Sequence, residues 1–225
     1  MSKQGHINAQ FDAELRSLKE QILTMGQLVD RHVGEAVAAM QARDVGRARS
    51  VILADRAVNQ MELAIDEQCI RMLALRQPAA SDLRFVAAAL KMVTDLERIG
   101  DLAVKMAEEV PHLGEAPPLR ALSELPAMAA AAQGMLRDAL EAFVTSDTAK
   151  AEAVMAADAA VDAWMVRLFG EVQRAMELDA GVVGRGLATI FFGKQIERMA
   201  DHTTNVAEMI VFAVRGQDVR HATST

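Results

Sequence analysis

Two acidic pentads stand one hundred residues apart: ERIGD, from Glu97 to Asp101, and ERMAD, from Glu197 to Asp201. They differ only at their third and fourth positions. A chain that repeats itself at a fixed offset is read first as two copies of one structural unit. Glu108 and Glu208 keep the same offset. Upstream, ADRAVNQM (Ala54 to Met61) resembles ADAAVDAWM (Ala157 to Met165) at an offset of 103. The three-residue difference falls between the second and third predicted helices of each copy.

Those helices follow from periodicity and from what the chain lacks. Hydrophobic residues make up 52% and aromatics only 4%, and helix formers dominate. Phe11, Leu15, Leu18, Ile22, Met25, Val29 and Val33 recur at steps of three and four, the mark of an amphipathic helix from Ile7 to Ala42. Further helices are expected over Arg47–Leu75, Leu83–Val110, Met128–Phe143, Ala149–Leu178 and Leu187–Val214. Pro78 is the expected breaker before the third helix, with Ser81 as its N-cap. Four of the five prolines fall between Pro111 and Pro126, which predicts a linker. The expected fold is all-α, two repeated three-helix bundles. Their bounds are 1–112 and 127–215, with a linker over 113–126 and a tail over 216–225.

The pentads carry the chemistry. At about 100° per residue, Asp101 falls about 40° and Glu108 about 20° from Glu97, while Met92, Ile99, Met106 and Val110 lie opposite. Carboxylates one turn apart repel, yet the chain makes this arrangement twice. Asp55 with Asn59, and Asp158 with Asp162, place oxygen donors one turn apart on the preceding helix of each copy. If those helices are neighbours, four such side chains converge, a set suited to Mg²⁺ or Mn²⁺, with Fe also accommodated. Asn59, a neutral donor, predicts a weaker N-terminal site. The bland reading is a solvated acidic face, opposite the core, laced by Arg98, Lys194 and Arg198.

Other chemistries fit less well. A net charge of −7 argues against direct nucleic-acid binding. Cys69 is alone, excluding an internal disulfide, and its apolar neighbours mark it as core. No secretory signal or membrane span is expected. A di-iron oxidase needs two inward Glu-x-x-His motifs. Only Glu109–His112 has that spacing, and Pro111 interrupts it. His202 reads equally as a ligand, a cap or neither.

TDLERIGD with AVKMAEE, IERMADHTTNVAEMIVFAVRGQDVRH, and the opening HINAQFDAELRSLKEQILTMGQLVD closely resemble the PhoU family of phosphate-transport accessory proteins. The resemblance covers nearly the whole chain. It implies a non-enzymatic cytoplasmic regulator, often dimeric and at most peripherally membrane-associated. It implies as partners the ATPase subunit of a phosphate ABC transporter and a phosphate sensor histidine kinase, with repression of the starvation response when phosphate is plentiful. It also implies metal (Mg, Mn, Fe or Zn) on surface carboxylates. Carried onto this chain, those are Glu97 with Asp101 and Glu197 with Asp201, with Asp55, Asp158 and Asp162 as partner carboxylates. The alternative is an acidic helical scaffold with no metal-dependent role.

Overall fold

The computed structural model describes residues 3–78, 80–114 and 119–219, with side-chain surroundings from residue 9 onward. The elements are α1 (Lys3–Ala42), α2 (Val45–Ala54), α3 (Arg56–Arg76), α4 (Ala80–Glu109), α5 (Leu125–Thr145), α6 (Thr148–Leu178) and α7 (Val183–Arg215). Short 3₁₀ turns occupy Val110–Leu113, Arg120–Glu124 and Ala180–Val182. No strand occurs among the described residues. Taking α2 and α3 as one helix interrupted at Asp55, the chain is two three-helix units: α1, α2–α3, α4, and then α5, α6, α7. No helix of the described residues is long and apolar enough to cross a membrane.

The first turn of each unit is built the same way. Arg43 and Ser146, with φ of 52° and 56°, end α1 and α5 in the left-handed region. The next amide reaches back to close the helix: Asp44 N–H to Ala39 O at 2.9 Å, Asp147 N–H to Ala142 O at 3.0 Å. The same aspartates then cap the following helix. The Asp44 carboxylate accepts from Arg47 N–H, and that of Asp147 from Ala149 and Lys150 N–H.

The second predicted helix is not continuous. It is interrupted at Asp55, where the backbone stays right-handed helical (φ −58°, ψ −27°) and the carbonyl accepts from both Val58 N–H at 2.9 Å and Asn59 N–H at 3.2 Å. With neither Gly nor Pro there, sequence rules saw no break. α4 begins at Ala80, so Ser81 lies inside its first turn rather than capping it. α7 begins at Val183 instead of Leu187, absorbing Gly184 and Gly186. Residues 115–118 of the expected linker and 220–225 of the expected tail lie outside the described residues. The flanking linker residues are ordered as 3₁₀ turns, and Pro126 sits in the first turn of α5.

One apolar core runs through both units. Its spine is the antiparallel pair α4 and α7. Asp95 meets His202 and Asn205, and Arg84 lies against Gly216, which sets the register. That register brings Ile99 and Met199, both fully buried, to the middle of the seam, so the two pentads lie at one height. α1 and α5 pack across the same seam, Gln133 Nε2 donating to Asp30 Oδ1 at 2.7 Å. Leu96, at 0% exposure on the spine, carries its packing. Leu96→Ala is expected to destabilise the fold by about 2–5 kcal/mol. Leu63→Ala, at a residue 68% exposed, should stay within about 0.5 kcal/mol. Urea denaturation of the two variants checks the contrast.

Candidate metal centres

Each unit lays its acidic pentad against the preceding helix. In the C-terminal unit α6 supplies Asp158 and Asp162, and α7 supplies Glu197 and Asp201. Burial pushes the Asp158 carboxyl up to about 6, helped by the charges of Asp162, Asp201 and Glu197. Partial burial and then Glu197 raise Asp201, with Asp162 adding to the repulsion. All four carboxylates thus share one electrostatic neighbourhood. One Asp158 oxygen, Oδ1, is buried without a hydrogen-bond partner. Lys194 Nζ lies 2.6 Å from Glu197 Oε1 and 2.5 Å from Oε2. Only the first contact has hydrogen-bond geometry, leaving the buried Oε2 with charge alone.

The N-terminal unit matches this plan on α2–α3 and α4. Asp55 is 9% exposed at the interruption, with Oδ2 accepting from Asn59 Nδ2 at 3.1 Å and Oδ1 buried and unpartnered. Burial, then the charge of Asp101, raises its carboxyl. Burial also raises Glu97, followed by Asp101, Glu62 and Asp55. Gly100 lets α4 come this close. A Cβ there would stand 3.2 Å from Val58 Cγ1 and 3.3 Å from Asp55 Oδ1.

All seven expected site residues therefore fall into two groups: Asp55, Glu97 and Asp101; and Asp158, Asp162, Glu197 and Asp201. The stripe is less open than a lone helix would leave it, though Glu108 and Asp201 are exposed. The Glu97 and Glu197 side chains are only 16% and 14% exposed, because α3 and α6 cover the flank that a lone helix would leave open. On the N-terminal face Asn59 stands where the other unit has Asp162, but further carboxylates lie nearby. Glu62 and Asp66 of α3 join it, both raised first by burial, and Asp66 Oδ1 is unpartnered. Their spacing, Glu62-x-x-x-Asp66, is that of the pentads, a signal that was present but unrepeated in the second half. Glu108 and Glu208, on the same stripe, lie further along. Glu208 lines a groove of about 400 Å³ with Lys91, Thr94, Asp95 and Asn205.

His202 has a definite place. Its Nδ1 lies 2.8 Å from Asp95 Oδ1, which also accepts from Asn205 Nδ2 at 3.0 Å, tying the second unit to the first. Cys69 is fully buried, and burial pushes its thiol up to about 12, so it packs as an apolar group. Glu109 and His112 fall at the end of α4 and in the following 3₁₀ turn, outside any bundle interior.

Chemically, each face offers oxygen donors with negative charge in excess of local cations. The buried, unpartnered oxygens of Asp55, Asp66 and Asp158 each cost about 1–3 kcal/mol as they stand. A hard divalent cation has the chemistry to satisfy such oxygens and relieve the repulsion. Among the described residues, no three His, Cys, Asp or Glu side chains converge tightly enough to form a closed ligand set. Side-chain rotation or water would have to complete the sphere.

The fold and this doubled site define a class: all-α proteins built from two copies of a three-helix unit, each with carboxylates bridging its last two helices. The chain belongs to the PhoU domain family, whose pattern matches residues 22–110 and 125–210. It is 41% identical over 219 residues to a Pseudomonas putida protein named as a phosphate-specific transport system accessory protein PhoU homolog, covering 96% of this chain and 85% of that one. It is 37% identical over 216 residues to the Escherichia coli phosphate-specific transport system accessory protein PhoU, covering 96% and 90%. The crystal structure of PhoU from Pseudomonas aeruginosa superposes with a TM-score of 0.87 at 40% identity, over 92% of this chain and 100% of that one. PhoU from Streptococcus pneumoniae, titled a phosphate transport system regulatory protein, superposes at 0.84 with 32% identity, over 93% and 99%.

The raised Asp158 carboxyl sets a pH dependence. Its folded value, about 6, exceeds the ordinary 3.8, so folding holds the proton more tightly than the unfolded chain does. Stability from this group is fully present below the unfolded value and is lost as pH rises towards 6. Asp158→Asn in chelator-containing buffer should therefore raise stability at pH 7.5 by on the order of 1 kcal/mol, solvent screening at this half-open site reducing the full effect. It should also flatten the stability profile between about pH 4 and 6. Urea midpoints across that range are the measurement.

Proposed function

We propose that this chain is an accessory protein of a phosphate transport system and a negative regulator of the phosphate-starvation response. It works in the cytoplasm, without catalysis, by contact with the ATPase subunit of a phosphate ABC transporter and with a phosphate sensor histidine kinase. The observation that carries this reading is the match to proteins of that name over 96% of the chain. The match includes both halves of the repeat. The absence of any membrane-crossing helix among the described residues is consistent with a partner reached from the cytoplasmic side. Homodimer formation and no more than peripheral membrane contact belong to the same reading.

Divalent or iron ions (Mg²⁺, Mn²⁺, Fe or Zn²⁺) form the second part of the proposal. Asp55, Glu97 and Asp101 would hold one, and Asp158, Asp162, Glu197 and Asp201 the other. The unpartnered oxygens of Asp55, Asp158 and Glu197 and the raised carboxyls of Asp55, Glu97, Asp158 and Asp201 support it. An ion there would tie each unit's last two helices together and make an acidic flank less negative. That is a direct way to change which partner the flank attracts. Direct nucleic-acid binding has no place in this scheme.

In a strain lacking this protein and grown in abundant phosphate, a phosphate-starvation reporter should come on, and restoring the gene should silence it. A reporter that stays off, with phosphate uptake unchanged, would leave the plain acidic scaffold as the better description. Separately, Glu197→Gln with Asp201→Asn should remove Mn²⁺ binding at the C-terminal unit while leaving helix content intact. Titration calorimetry and circular dichroism read the two quantities, and undiminished binding would count against the site.

A further inference from the structure

Away from the carboxylate faces, the two units finish the same corner differently. In the first, Arg43 ends α1 and reaches across, its Nη1 donating to Gly114 O at 2.9 Å. Val110 and Leu113 are buried beside it. In the second, the matching turn carries Ser146, too short for that span. The offset of 100 also puts Ala213 in the place of Leu113. Here a cavity of about 390 Å³ stays open, between α1, the first turns of α4 and the ends of α5 and α7.

Its lining has two characters. Leu15, Phe85, Ala213 and Val214 form an apolar wall. Phe85 is fixed there by stacking on Phe143, with ring centroids 5.7 Å apart. Arg16 and Lys19, one turn apart on α1, bring cations, and Ser81 and Ser146 bring hydroxyls.

The local charge runs against that of the chain, whose net charge is −7. Lys19 is half-buried, which lowers its pKa, and its Nζ donates only to Val144 O at 2.6 Å. Neither it nor Arg16 has an ion-pair partner among the described residues. Arg84, beside the wall, lies against Gly216 with its Nε buried and unpartnered. Asp82 is the one carboxylate among the lining residues. It stands in the first turn of α4, where the helix dipole offsets its charge. Arg215, at the end of α7, is neutralised by Glu152. Arg16, Lys19 and Arg84 against Asp82 leave two positive charges beside an apolar wall.

We infer that this corner is a binding site for a small organic phosphate, a phosphate monoester carried on an apolar or aromatic body. The dianion takes up the charge of Arg16 and Lys19 and accepts from the serine hydroxyls, and the body lies along Phe85 and Val214. Arginine suits such a group because its N–H donors match paired phosphate oxygens. The volume is that of a small-molecule site, about 300–1,000 Å³. Inorganic phosphate would leave the apolar wall uncovered, so the site distinguishes organic phosphate from the free ion. It involves neither the carboxylate faces nor the proposed protein partners.

The test is calorimetric titration of the whole chain, freed of metal by chelator, with phenyl phosphate, inorganic phosphate and benzoate. Phenyl phosphate should bind once per chain. The other two should bind at least about tenfold more weakly, since one lacks the body and the other the second charge. Arg16→Gln and Lys19→Gln should each weaken phenyl phosphate by about tenfold, the loss of one charge-assisted contact. Ala213→Leu, which copies the other unit, should abolish binding by filling the cavity without changing any charge. Arg16 is exposed, so Arg16→Gln should keep its helix content, and circular dichroism checks each variant. Inorganic phosphate binding as tightly as phenyl phosphate overturns the ligand class. Phenyl phosphate binding that survives both Arg16→Gln and Ala213→Leu overturns the site. An intact chain that binds no phenyl phosphate overturns the inference outright.

Discussion

The close antiparallel packing of α4 against α7 governs the rest of the structure. Everything on these two helices is arranged around a seam whose middle is Ile99 and Met199, both fully buried. The seam fixes the height of the two pentads, and the remaining helices dock on its flanks. Asp95, shared by His202 and Asn205 at 2.8 and 3.0 Å, is a polar lock on an otherwise apolar contact. It makes one register of the seam better than its neighbours, since sliding by a turn would leave a half-buried carboxylate without its donors.

The carboxylate faces are a strain that this packing imposes. On a lone helix Glu97 and Asp101 would be solvated and cheap. Covered by α3, Glu97 loses water, and its carboxyl rises. The same happens to Asp158 and Asp201 under α6 and α7. Local cations relieve only part of this. Arg98 stands 3.6 Å from Glu97 and 3.5 Å from Asp101, and is itself 57% exposed, so it contributes little. Retaining such a cost twice is characteristic of sites shaped for use rather than for stability.

Much of this was legible in the sequence. The repeat offset gave the two units, and the apolar periodicity gave their helices to within a few residues at most ends. The seven grouped carboxylates followed from i, i+4 spacing on helices expected to be neighbours. What stayed hidden was of three physical kinds. The interruption at Asp55 keeps helical dihedrals, so no breaker residue announces it. Glu62 and Asp66 carry the pentad spacing, but the second half does not echo them, and repetition was the filter. The burial of Glu97 and Glu197 depends on a third helix, which a helical wheel treats as solvent. The Asp95–His202 contact spans 107 residues and leaves no local mark.

The two turns that open each unit, left-handed residue and then capping aspartate, have survived as near copies at Arg43–Asp44 and Ser146–Asp147. The side chains they present have not. In a dimer of identical chains every substitution is made twice, and symmetry forbids the halves to differ. Here the halves are joined in one polypeptide, so an arginine can stand at position 43 while a serine stands at 146. One polypeptide leaves the two copies free to differ in chemistry, while the shared turns hold them to one shape.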